Sequence, residues 1–364
     1  MRKILISLLC LLMIMPILAQ DNDTVNGVWQ CPGDFSGQTL DVYNWSTYIA
    51  DNTIPDFEAA CDVEVNYVLF DSDDEVLDII RQGNPADYDI IMPGGAILSE
   101  LISEELVVPL DMNLIPNADN ILAELLNPSF DEGNEYSLPY QWGTIAAGYN
   151  TDAFPDGITS WDQVWEHEGS VGWLNDARAV IGTALIMLGY DPNSIEVSEI
   201  LEARNYLGNR GGDNLTIYPD SEGQDALANG DVDVIIEYSG DIIDLTYECE
   251  CEDFAYTIPD EGANVWIDNM AIPVGGSNIE LAHAFIDYIL DPQVGADISN
   301  FTAYGSPNRV AIESELIDAG LLANPGIYPS DSVRENLFFV QDLGSEINDL
   351  YRNAWNEILL FFGE

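Results

Sequence analysis

From residue 38 onward, short apolar runs alternate with amphipathic ones, and this alternation most constrains what the chain can fold into. Val63 to Phe70, Tyr88 to Met92, Gly172 to Leu174, Ile217-Tyr218, Val232 to Glu237 and Phe254 to Ile258 read as strands. Between them, Asp74 to Gln82 carries Val76, Leu77, Ile79 and Ile80 on one helical side, and Glu222 to Asn229 is also helical. Further helices are expected at Asp56 to Cys61, Ile97 to Ser103 and Ala177 to Leu188, the last ended by Gly189 in a left-handed cap. Ile267 to Pro273 returns as a strand, helix Glu280 to Leu290 follows with Pro292 just beyond, and Ser345 to Phe362 is a long amphipathic helix. Such a βαβ rhythm requires a parallel sheet covered on both faces, so the fold class is α/β. At 364 residues, two cores are expected instead of one.

The first 19 residues read as a cleaved secretory signal. Arg2 and Lys3 precede the apolar run Ile4 to Leu18, and Ala19 ends it. The run is too short for a spanning helix. Cys10 follows Leu8-Leu9 instead of the small residues that precede a lipid-modified cysteine. The mature protein is therefore expected outside the cytoplasm, with residues 20–37 as an irregular leader rich in Gly and Pro.

Charge excludes whole classes of partner. The chain carries nine Lys and Arg against 65 Asp and Glu, and the signal removes Arg2 and the only lysine, Lys3. A surface so acidic repels nucleic acid and anionic lipid. The acidity fits a solvated, salt-tolerant surface, and attraction of a cationic ligand is the competing reading. Screening over about 8 Å at physiological salt leaves the decision to charges placed inside a cleft.

Chemistry by other routes is poorly supported. There are two histidines, His167 and His283. No Gly-x-Ser-x-Gly elbow and no P-loop occur, and no lysine remains for Schiff-base chemistry. No cofactor motif is present. Cys31, Cys61, Cys249 and Cys251 remain after processing. In an oxidising compartment they favour disulfides, with three connectivities open. The Cys249-Glu250-Cys251 run is too short for a closed metal site.

The stretch Tyr43-Asn44-Trp45-Ser46-Thr47-Tyr48-Ile49 places two aromatics and a hydroxyl at a strand-to-helix turn, where parallel sheets bind ligands. It resembles the opening motif of the bacterial spermidine/putrescine-binding proteins, the soluble receptors of polyamine ABC importers. The resemblance continues in order through Tyr88-Asp89-Ile90-Ile91-Met92-Pro93, Pro139-Tyr140-Gln141-Trp142-Gly143-Thr144 and Gly148-Tyr149-Asn150. Glu237-Tyr238-Ser239-Gly240-Asp241, Trp266-Ile267-Asp268-Asn269-Met270-Ala271-Ile272-Pro273 and Asn324-Pro325-Gly326-Ile327-Tyr328-Pro329 complete it.

The resemblance implies a two-lobed periplasmic binding protein of type II, with the ligand in a cleft between lobes joined by crossing strands. The crossings fall near Trp142-Gly143-Thr144 and Trp266-Ile267-Asp268. Lobe one is then 38–143 plus 267–312, and lobe two is 144–266 plus 313–364. The implied ligand is a polyamine, putrescine or spermidine, delivered by a monomer to an ABC permease. The implied contacts are Trp45, Ser46 and Tyr48 from lobe one; Asp176, Tyr238 and Asp241 from lobe two; and Trp266 and Asp268 at the second crossing. Tyr304 and Gln341 match supporting polar positions.

Each residue has a blander reading. Trp45 and Trp266 fit core tryptophans, Asp241 fits a helix cap, and any one of 65 acids is usually a solvated one. The family pattern is broken in three places: Gly94-Gly95-Ala96 follow Pro93, Ala179 replaces a glutamate, and Thr47 replaces an acid. The same fold binding another amine, an amino acid or an iron complex is the nearer alternative. Iron receptors of similar shape cluster tyrosines or histidines, which is not evident along the chain. A sensory or adhesive receptor is a third class. A glycoside hydrolase using Asp241 and Asp268 is the distant alternative.

Overall fold

The computed structural model describes residues 28–70, 73–82, 88–210, 212–219, 222–248, 253–341 and 343–362. The signal segment 1–19, residues 20–27 of the leader, and Cys249 and Cys251 lie outside the described residues.

Among the described residues, ten strands form one mixed sheet. They are β1 (Thr39–Trp45), β2 (Glu64–Phe70), β3 (Ile90–Ile91), β4 (Ser137–Asn150), β5 (Val171–Leu174), β6 (Leu215–Tyr218), β7 (Val234–Tyr238), β8 (Phe254–Thr257), β9 (Asn264–Ala271) and β10 (Phe338–Phe339). The order is β2-β1-β3-β9-β4-β7-β5-β6, with β8 added to β4 and β10 to β9. Pairing is parallel within β2-β1-β3 and within β7-β5-β6, as the βαβ rhythm requires. The antiparallel joins are β3 with β9, and β4 with β9, β7 and β8.

β4 is the spine. Its first half pairs β9 from Ser137↔Ala271 to Ile145↔Asn264, and its second half pairs β7 and β8. Thirteen of its 14 residues are buried, which a strand needs when both faces carry other elements. Pro139 is accommodated at a register shift, where no ladder N–H is demanded of it. Gly148 lets a helix lie close: a Cβ there would sit 2.7 Å from Ile242.

Two large cores flank this spine. One gathers Leu40, Val42, Phe57, Ile90, Met92, Leu138, Met270, Phe285 and Ile286. The other gathers Trp161, Trp173, Val180, Leu185, Ile200, Val234, Ile236, Tyr351 and Ile358. Val42 and Tyr43 enter different clusters because successive strand residues face opposite sides, so the sheet is covered on both faces. Burying each large apolar side chain contributes about 1.5–3 kcal/mol, which makes both cores substantial.

Most element ends follow the expected ones within a residue or two, but the helix ending at Cys61 starts at Thr53, three residues before Asp56, and the strand expected from Ile267 starts at Asn264. β3 is only two residues long, because its neighbours give it partners only at Ile90 and Ile91. Pro292 does more than stop the preceding helix, Ile279–Ile289. It is the first residue of the next, Pro292–Thr302, where its missing N–H costs nothing and Asp291 caps the start. Residues 28–37 of the leader have no regular structure but are pinned. Cys31 is disulfide-bonded to Cys61, Trp29 Nε1 donates to Asp287 at 2.9 Å, and Phe35 is buried.

Candidate functional site

A cleft of about 880 Å³ opens where the strand ends of the two parallel units face each other. Nine of the ten residues expected at the site line it: Trp45, Ser46, Tyr48, Asp176, Tyr238, Asp241, Trp266, Asp268 and Tyr304. Gln341 does not. Its side chain is exposed, and its backbone N–H donates to Asn193 Oδ1 at 3.0 Å. Phe339 and Val340, just before it, line the cleft instead.

The end of β1 sets the first wall. Trp45 Nε1 donates to the Met92 carbonyl at 3.0 Å, and its ring lies 4.4 Å from that of Phe70. Thr47 adopts a left-handed φ of 50°, and Tyr48 follows it into the interior. The Tyr48 carbonyl accepts hydrogen bonds from the Tyr140 hydroxyl at 2.5 Å and from Gln141 Nε2 at 3.3 Å. The turn is therefore fixed by β4.

Tyr48 then joins an aromatic box. Its ring lies 5.6 Å from Tyr304 and 6.4 Å from Trp266, and Trp266 lies 5.0 Å from Tyr304 and 6.0 Å from Tyr238. Two glycines seat the box. A Cβ on Gly143 would stand 2.5 Å from the Trp266 ring, and one on Gly240 would stand 2.4 Å from the Tyr304 ring. These close approaches, invisible in the linear pattern, explain why glycine occupies both positions.

Carboxylates flank the box. Asp268 is 9 % exposed and is held by the β9 ladder opposite Gln141. Burial and the neighbouring Asp268 carboxylate push the Tyr48 hydroxyl well above its usual range. On the other side, the Tyr304 hydroxyl donates to Asp241 Oδ1 at 2.6 Å, and burial with Asp241 raises Tyr304 likewise. Asp241 stands in the first turn of the helix Ser239–Glu248, so the helix start favours its charge. Asp244, one turn further along the same helix, also lines the cleft.

Asp176 has a second task. It caps the helix Ala177–Met187 by accepting from the Arg178 and Ala179 amides at 2.8 and 2.9 Å, and burial raises its pKa. Next to it, Arg178 brings a cation into the lining. Asp244 and Arg178 carried no distinguishing signal in the sequence.

The break at Gly94-Gly95-Ala96 has a local cause. A Cβ on Gly95 would lie 2.4 Å from the Phe130 ring, and Phe130 itself lines the cleft. The aromatic surface there comes from a distant loop. One sequence expectation needs correction. Tyrosines do cluster here, since the fold joins Tyr48, Tyr238 and Tyr304, which are far apart along the chain. Burial keeps the Tyr48 and Tyr304 hydroxyls protonated, and that of Tyr304 donates to Asp241.

The two histidines stand elsewhere. His283 is buried, accepts from the Asp111 amide at 2.9 Å and contacts the Ile279 carbonyl, as a satisfied core residue does. His167 pairs with Asp233 at 3.0 Å. Among the described residues, no three His, Cys, Asp or Glu side chains are arranged to hold a metal.

The sequence relatives agree with this geometry. The profile of the bacterial extracellular solute-binding proteins matches residues 52–324. The putrescine-binding periplasmic protein SpuD of Pseudomonas aeruginosa is 33% identical over 340 residues, covering 88% of this chain and 92% of SpuD. The putrescine-binding periplasmic protein PotF of Escherichia coli is 31% identical over 340 residues, covering 88% and 91%. A solved structure of a spermidine/putrescine ABC transporter protein from Listeria monocytogenes superposes with a TM-score of 0.80 at 31% identity, covering 89% of this chain and 99% of that one. A type II sheet, a cleft at its strand ends and matching sequence over most of its length place the chain in one family: it belongs to the bacterial extracellular solute-binding proteins.

Proposed function

We propose that this protein is an extracytoplasmic receptor that binds a polyamine in its cleft and delivers it to an ABC permease. The observation that carries the reading is the aromatic box between Asp268 and Asp241. A polyamine is a string of methylenes between ammoniums, so it wants flat faces in the middle and carboxylates at the ends. Each cation–π contact contributes about 0.5–2 kcal/mol, and a micromolar complex needs about 8 kcal/mol net. Four rings and two flanking acids reach that sum; a surface acid does not. Relatives named for putrescine and for spermidine support the same ligand class.

In this reading, Asp268 grips one ammonium, Asp241 the other, and Trp45, Ser46, Tyr48, Tyr238, Trp266 and Tyr304 line the path between them. The lobes are 38–143 plus 267–312 and 144–266 plus 313–364, closing as a monomer about the crossings in β4 and β9. Hinged closure of this kind is a common switching mode of binding proteins. The protein acts outside the cytoplasm after removal of residues 1–19, and it binds instead of catalysing. The permease is a separate partner in this reading; among the described residues, no helix is long and apolar enough to cross a membrane.

Tryptophan fluorescence tests the ligand class, because Trp45 and Trp266 line the cleft. Putrescine should give a saturable change and 1,4-butanediol, equal in chain length but uncharged, should give none. An equal response to the diol would defeat the charge-based reading.

A further inference from the structure

The two ends of the cleft are built differently. In the sheet order β2-β1-β3-β9-β4-β7-β5-β6, Asp268 sits on β9, and Asp241 stands in the first turn of the helix after β7. Past Asp241 the cleft runs on to Asp244, to Asp176 after β5 and to Pro219 after β6. On the other side of Asp268 come the ends of β3, β1 and β2, and there the lining is Gly94, Gly95, Trp45, Phe70 and Phe130. Gly94 is bridged to Asp268, and the Asn269 amide donates to the Pro93 carbonyl at 3.0 Å, so this glycine turn lies directly beside the acid.

Phe130 occupies the space that the glycine turn leaves. A Cβ on Gly95 would lie 2.4, 2.8 and 2.9 Å from three atoms of the Phe130 ring, so the ring sits where a side chain at position 95 would begin. Behind, it packs against the buried cluster of Tyr43, Phe70, Ile97 and Leu98. The next residue, Asp131, is buried, and its carboxylate accepts from the amides of Glu135, Tyr136 and Ser137 at 3.0, 3.1 and 2.8 Å and from the Ser137 hydroxyl at 2.7 Å. Ser137 begins β4, so the loop that carries Phe130 is tied to the spine of the sheet. A ring packed and tied in this way yields only if its neighbours move, which makes Phe130 a fixed wall at the Asp268 end.

We infer that Phe130 is a specificity-determining residue: laid on Gly95, its ring walls the Asp268 end of the cleft, so that an unsubstituted ammonium fits there and an N-alkylated one does not. The inference rests on the amine-receptor reading above and deepens it. A secondary ammonium carries the same charge as a primary one, so the discrimination is one of shape. The charges of Asp241, Asp244, Asp176 and Arg178 act equally on both. One methylene gained or lost in a shaped pocket typically changes discrimination about 10–200-fold.

The test is a calorimetric comparison of putrescine, N-ethylputrescine and N,N′-diethylputrescine on the full chain, as wild type, Phe130→Ala and Phe130→Leu. The singly ethylated diamine can turn its free end to Asp268 and place its ethyl arm in the open end, so wild type should hold it within about threefold of putrescine. The doubly ethylated one cannot, and should bind at least about tenfold more weakly than the singly ethylated one. Phe130→Ala should shrink that gap toward one, and Phe130→Leu, which cuts the ring back without emptying the site, should fall between. The ratio of the two ethylated probes is the readout, because a ring lost from the wall weakens all three ligands together and a loss of stability leaves the ratio alone. Equal wild-type affinities for the two ethylated probes, or a gap that both variants leave unchanged, would overturn the role of Phe130 while leaving the amine receptor standing. Failure of putrescine itself to bind wild type would overturn both.

Discussion

Replacing Asp268 by Asn removes one charge and almost no volume. The backbone at this position is fixed by pairing with Gln141 on one side and a bridge to Gly94 on the other, so the ladder survives the change. Trp266, two residues earlier, keeps its seat on Gly143. What is lost is the attraction between a carboxylate that is 9 % exposed and a bound ammonium. At about 4 Å and an effective dielectric near 20, that attraction is about 4 kcal/mol before desolvation is subtracted. Truncating one member of a buried charge pair typically costs about 2–5 kcal/mol. A net loss of about 3 kcal/mol corresponds to a Kd raised by about 150-fold. Calorimetric titration with putrescine reads this directly, and thermal melting of the free protein should show Tm changed by no more than a degree or two. A variant that keeps putrescine within about threefold of wild type would refute the argument, because a cleft acid holding the ammonium cannot be dispensable.

Gly240→Ala should force the Tyr304 ring off its seat and lower putrescine affinity about tenfold or more, whereas an alanine at exposed Gly212, inside the same lobe, should not. Reducing the Cys31–Cys61 bond, whose partners are 30 residues apart, should cost about 3–4 kcal/mol of stability by the chain-entropy relation and free the Trp29 anchor; chemical denaturation with and without reductant measures it. Asp176, Asp287 and Asp291 all have carboxyl pKa values raised mainly by burial. The folded state therefore holds their protons more tightly than the unfolded state, and their destabilising effect, full at neutral pH, is relieved as pH falls toward the unfolded value. Melting should accordingly show Tm supported, not lowered, by these groups as pH falls toward the unfolded carboxylate value near about 4, and variants Asp287→Asn and Asp291→Asn that leave the pH dependence of Tm unchanged would contradict the assignment.

Much of the fold was legible because hydrophobic period survives in the linear pattern. The helices Glu222–Asn229 and Ser345–Phe362 lie where the sequence places them, the second starting just after Gly344 with its left-handed φ of 78°. β4 was legible only through the family resemblance, which puts a crossing strand near Trp142-Gly143-Thr144, and not through hydrophobic period. A run of 14 residues containing Pro139, the four polar residues Ser137, Gln141, Thr144 and Asn150, and two glycines has no alternation to read, since both its faces are buried and it changes partners midway. The cleft lining was legible where motif order carried it, as for Trp45, Tyr48, Trp266 and Asp268. It was not legible where the lining depends on close approach or on convergence. Gly143 and Gly240 matter through the rings lying on them, Phe130 reaches the cleft from a remote loop, and Arg178 is distinguished only by where its helix points. Gln341 went astray because the segment after β10 turns its side chain outward.

The central claim is that a desolvated cleft, and not the acidic surface, holds the ligand. The most direct test is calorimetric titration of the mature protein with putrescine, spermidine and spermine at low and high salt. The account predicts one-to-one putrescine binding that persists when salt is raised, because a buried pair is screened little. Weak, multi-site heat that vanishes with salt would mean counterion attraction to a chain with 65 acids, and would contradict the cleft as a polyamine site.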